Sequence, residues 1–84
     1  LSLAKMFMDD NMDQLAADVA RGEGETLAAL AEVIGVEAQD AAAFNRTMQS
    51  NFDNLFSTEA TSGSAYEAMK AAMASDVALQ KYLG

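Results

Sequence analysis

Asp9, Asn11 and Asp13 alternate like the oxygen ligands that open a calcium-binding loop. Such a loop needs glycine at its sixth position for a sharp turn and a bidentate glutamate at its twelfth. Here those positions hold Gln14 and Ala20, while Leu15 and Val19 fall inside the segment at helical spacing. The calcium reading therefore fails, and the polar residues are expected to cap a helix. A second stretch, Arg21-Gly22-Glu23-Gly24-Glu25, has the backbone freedom of a phosphate cradle. Its two glutamates would repel a phosphate, and its spacing matches neither nucleotide-binding glycine motif. A turn between helices, with glycine at positive φ, explains it better. Arg21, Gly22, Glu23, Gly24 and Glu25 stay as the residues this sequence offers for an interaction surface. Met6, Met8 and Met12 supply soft sulfur donors for copper, but no His or Cys accompanies them. They are expected to pack, and no metal or cofactor is expected.

The 84 residues contain no His, Cys, Trp or Pro. The side chains most often used as nucleophile or proton shuttle are thus missing. Two carboxylates across a cleft would be needed for glycosidase-type acid–base work. The acids here fall on expected solvent faces or at helix starts. A small acidic helical chain also invites comparison with acyl carrier proteins, which carry Asp-Ser-Leu at a helix start. That tripeptide is absent; Ser75-Asp76 reverses its order, and Ser50 lies within a helical stripe. The chain is not expected to be an enzyme.

The elements that must position any site follow from composition and periodicity. A chain this size buries roughly 60–65% of its unfolded surface, enough for one modest core. Without cysteine no disulfide reinforces it. Nine acids lie between residues 9 and 40 against Arg21 alone, whereas residues 41–84 carry four acids and three bases. Nucleic acid and anionic membrane surfaces are therefore not expected partners. No apolar run approaches the roughly 18 residues that span a bilayer. The opening LSLAKMFM has one lysine and a short apolar run but no small-residue cleavage pattern, so it is not expected to be a signal peptide. The chain is expected to begin inside a longer product.

Apolar spacing predicts helices throughout and no strand. Met12, Leu15, Ala16, Val19 and Ala20 mark the first. It is either capped among Asp9, Asp10 and Asn11 or unbroken from Leu3, and it stops at Gly22. The second carries Leu27, Leu30, Ala31 and Ile34 and ends at Gly35, with Val36 folding back. Phe44, Met48, Phe52, Leu55 and Phe56 predict one helix over 38–56, centred on the core, where Phe52→Ala should cost about 3–5 kcal/mol. After a linker at 57–63, Ser64 and Glu67 suggest a capping box, with Ser62 competing. Tyr66, Met69 and Met73 mark the fourth helix. Asp76 is placed to cap a last short one containing Val77, Leu79, Tyr82 and Leu83. The expected architecture is an all-α compact bundle of four to five short helices spanning residues 1–84 as a single domain.

Asp18, Ala20, Gly22, Gly24 and Glu25, followed by Leu30, Gly35 and Val36, and then by Phe44, Asn51, Phe52 and Phe56, resemble the bacterial domain-of-unknown-function family numbered 3015. The similarity runs from about residue 9 to residue 83. It implies a small exported, periplasmic protein of Gram-negative bacteria. A glycine-rich, cysteine-containing N-terminal half would precede this helical half. The family supplies no catalytic residues to carry over. Asp76-Val77 departs from the Asp-Pro expected there, leaving the last helix start less sharply fixed. The expected function is non-enzymatic, through protein–protein contact with another envelope protein or self-association into a homo-oligomer. The alternative is a small-ligand or metal carrier of the cell envelope.

Overall fold

The computed structural model describes residues 3–83; expectations touching Leu1, Ser2 and Gly84 lie outside them. The longest helix, α1 (Leu3–Arg21), is followed by α2 (Glu25–Ile34), a 3-10 turn (Ala38–Asp40), α3 (Ala41–Ser50), α4 (Phe52–Leu55), α5 (Ser62–Ala74) and a second 3-10 turn (Gln80–Tyr82). The all-α expectation holds, with no strand among the described residues. α1 packs against α2, α3, α4 and α5, so it is the element around which the others assemble.

Two asparagines bend the chain, one where the start of the first helix was left open and one inside the stripe expected over 38–56. Asn11 has non-helical φ/ψ of −133° and 24°, and its Nδ2 donates to the Phe7 carbonyl at 2.9 Å. A side chain that takes an acceptor of the i→i−4 ladder kinks a helix. α1 therefore starts at Leu3, as one of the two expected alternatives had it, but is kinked at Asn11 rather than unbroken. Asn51 repeats the device, with Nδ2 donating to the Thr47 carbonyl at 2.8 Å. It splits the helix expected over 38–56 into α3 and α4, with a 3-10 turn replacing the first residues. The bend alters the burial order. Phe44, Met48 and Leu55 are fully buried, whereas Phe52 and Phe56 pack half-buried on the core edge with ring centroids 5.3 Å apart. The large penalty expected at Phe52 therefore belongs to Phe44.

The N-terminal apolar stretch divides. Ala4 and Met8 enter the core with Leu15 and Val19, while Leu3 and Met6 stay exposed. Ala20, placed on the inner face by spacing, is exposed. α2 ends as expected. Gly35 adopts φ 94°, its N–H reaches the Glu32 carbonyl at 3.1 Å, and the Val36 N–H reaches Ala31 at 2.9 Å. These are the paired bonds of a Schellman stop. The cap of α5 is Thr61 rather than Ser64 or Ser62. Thr61 Oγ1 accepts from the Ser64 N–H at 3.1 Å, and Ser64 Oγ accepts from the Thr61 N–H at 2.9 Å. Serine fills the role assigned to glutamate because its hydroxyl reaches the same N–H.

The chain end is a turn rather than a full helix. Asp76 holds the turn that precedes it, with Oδ1 accepting from the Ala78 N–H at 2.9 Å and Oδ2 from the Thr47 hydroxyl at 3.2 Å, while the 3-10 turn itself follows Leu79 without a side-chain cap. Leu79 is buried, but Val77 faces solvent.

Candidate functional site

The corner proposed from sequence, Arg21 to Glu25, is held from within by Asp18, a residue spacing alone had not singled out for a role. Asp18 is only 6% exposed, on the inner face of α1. Its Oδ2 accepts from the backbone N–H groups of Thr26 at 2.8 Å and Leu27 at 3.1 Å. Its Oδ1 accepts from Arg21 Nη2 at 2.6 Å. One carboxylate thus caps α2 from the preceding helix and answers its positive end. Gly22 and Gly24 have φ of 80° and 148°. A Cβ on Gly24 would overlap the Asp18 carboxylate, so the close approach admits only glycine. Gln49 seals the corner from α3, its Nε2 donating to the Ala20 carbonyl at 3.1 Å. The five sequence candidates are therefore brought together as a helix-to-helix junction. Gly22 and Gly24 shape its backbone, Arg21 is turned back onto Asp18, and Glu23 and Glu25 face solvent.

A polar cluster that the sequence did not reveal ties the chain end to the start of α3. The Tyr82 hydroxyl donates to Asp40 Oδ2 at 2.5 Å and accepts from the Glu37 N–H at 3.0 Å. Lys81 Nζ lies 2.9 Å from the same Asp40 oxygen and 3.8 Å from Glu37 Oε1. Hydrogen bonds from Tyr82 and then Lys81 hold the Asp40 carboxyl below the usual range. The Asp40 contact raises Lys81, and desolvation followed by the Asp40 bond raises Tyr82. A depressed carboxylate contributes stability that is present above its unfolded pKa, about 3.9, and lost as pH falls through its folded value. The raised Lys81 and Tyr82 contribute below their unfolded values, about 10, and lose it at higher pH. The latch should be intact between about pH 4 and 10. In urea titrations, Tyr82→Phe should lose less stability than wild type between pH 6 and pH 3; parallel curves would contradict this.

Two concavities open among the described residues. The first, about 290 Å³, opens between the start of α1, the end of α2, α5 and the C-terminal turn. Met69 and Met73 form its buried floor, and Ile34 and Ala4 line its sides. Leu3, Val33 and Leu83 line it while remaining 70%, 39% and 37% exposed. Among the described residues Lys70 is the one charged side chain in the lining. The second, about 320 Å³, is bordered by Asp9, Met12, Asp13 and Phe56. Asp9 there accepts from the Ser62 hydroxyl at 2.7 Å. Met6, Met8 and Met12 do not converge: the first is exposed, the second buried, the third half-buried. Among the described residues no group of three or more His, Cys, Asp or Glu is placed to hold a metal. No described helix is long and apolar enough to cross a membrane.

Spacing had marked Met69 and Met73 as core, and they are; only the fold shows that their outer edges floor a groove. Among known families, a model described as a protein of unknown function (DUF3015) matches residues 2–83. No curated protein and no solved structure matches the chain.

Proposed function

Because this chain belongs to the DUF3015 family of unknown function, we propose that it is a non-enzymatic binding domain of an exported, periplasmic protein, working through contact at the apolar groove. The observation that carries this reading is the grouping of Leu3, Val33 and Leu83, all solvent-exposed, around a concave floor of methionine. Exposed apolar side chains gathered about a depression mark binding surfaces more often than scattered ones do. Methionine suits such a floor because its unbranched thioether adapts to the shape laid on it. Non-catalysis is supported by the use made of the inner acids. Asp18 caps a helix, Asp40 anchors Tyr82 and Lys81, and Asp76 caps a turn.

A neutral decyl glucoside, titrated below its micelle concentration, should bind saturably at one site. Val33→Asp places a charge on the half-exposed rim and should abolish that binding while leaving the helical circular dichroism unchanged. Absence of saturable binding, or binding indifferent to Val33→Asp, would contradict the groove reading. A second reading, self-association, is favoured by the same exposed rim, since burying it against a second copy removes apolar surface from water. Light scattering at micromolar concentration distinguishes it; a clean monomer counts against it.

A further inference from the structure

Among the described residues the sole charged side chain lining the groove is positive, in a chain whose formal net charge is −8. We propose that the groove holds the hydrocarbon tail of a single-chain amphiphile whose anionic head group rests against Lys70. This rests on the groove being a binding site. The Lys70 ammonium lies 4.8 Å from the centroid of the Tyr66 ring, and both residues line the groove. The aromatic face therefore holds the cation at the groove edge. Its other partner, Glu67 Oε2 at 3.3 Å, belongs to a side chain 71% exposed and outside the lining. A solvent-exposed pair of this kind is weak, so an arriving carboxylate competes for the ammonium at little cost.

Two electrostatic effects oppose each other here. The overall negative charge of the protein favours cations at long range. At physiological ionic strength that field decays over about 8 Å, whereas a head group touching Lys70 sits within hydrogen-bond reach. The local contact decides, and it selects an anion. Volume sets the tail. The groove of about 290 Å³ has room for a short hydrocarbon tail, for which a chain of about ten carbons is the probe. The adaptable apolar side chains of Met69, Met73 and Ile34 suit such a tail.

The test is calorimetric titration of the intact chain with decanoate, decyl glucoside and decyltrimethylammonium, each below its micelle concentration. Wild type, Lys70→Gln and Val33→Asp are compared, with folding checked by circular dichroism. Decanoate should bind the wild type about fivefold more tightly than the neutral glucoside, the upper range for an exposed ion pair. Lys70→Gln should erase that preference, bringing decanoate down to the level of the glucoside measured on the same variant, and Val33→Asp should abolish binding of the glucoside and of decanoate. Equal binding of the three head groups, or a decanoate preference that survives Lys70→Gln, overturns the amphiphile assignment while the groove stands. No binding by any of the three, or a stable dimer that decanoate does not disturb, overturns the groove itself.

Discussion

Alanine at Gly24 is expected to destabilise the domain by about 3 kcal/mol, although it adds one methyl group in the turn between α1 and α2. Two costs combine. The backbone φ of 148° lies where residues bearing Cβ are strained, at about 1–3 kcal/mol. The new methyl would also displace the Asp18 carboxylate that accepts from the Thr26 and Leu27 N–H groups, and losing a helix cap costs about 0.5–2 kcal/mol. For a domain this size, whose whole stability is expected to be about 4–12 kcal/mol, that loss is large. Urea titration of Gly24→Ala, Asp18→Ala and the double variant separates the parts. Truncating Asp18 removes both the cap and the obstacle, so the double variant should be less damaged than the sum of the singles. Strict additivity would show that the carboxylate and Gly24 do not interact as their geometry requires.

The second large effect is at Phe44 on α3, which is fully buried in the core and is the largest such side chain among the described residues. Phe44→Ala should cost about 3–5 kcal/mol, the range for emptying a buried aromatic site, and should leave a substantial unfolded fraction at 37 °C. Phe52→Ala, on the same sequence stripe, should cost less than about 2 kcal/mol because its ring is half-exposed against Phe56. Thermal melts of the two variants side by side provide the check. Equal losses would mean that the bend at Asn51 does not set the burial order.

That contrast shows how far the sequence could be read. Periodicity identified the helices because apolar faces repeat at the helical period, and the Gly35 stop was legible because a left-handed residue leaves a glycine behind. The bend at Asn51 was not legible, and the one at Asn11 was legible only as an open choice between a cap and an unbroken helix. Each depends on a side-chain amide taking a carbonyl four residues back, and an asparagine on a helix surface has the same one-letter signature. The glycine corner was recognised as a turn, but its cause was not. Asp18 caps a helix from eight residues before Thr26, beyond the one-turn span that capping patterns cover. The Asp40–Tyr82 latch joins residues 42 apart and left no local signal. The groove was hidden for a related reason. Val33, Met69 and Leu83 are distant in sequence, and each alone reads as an ordinary core residue.

The central claim, that this domain acts by binding at that groove, is tested most directly by methyl resonances of its six methionines during titration with decanoate. Met69 and Met73 should shift saturably together, because both line the groove, while Met48 in the closed core and Met12 at the second concavity stay fixed. Shifts led by Met12, or a uniform drift of all six without saturation, would contradict the account.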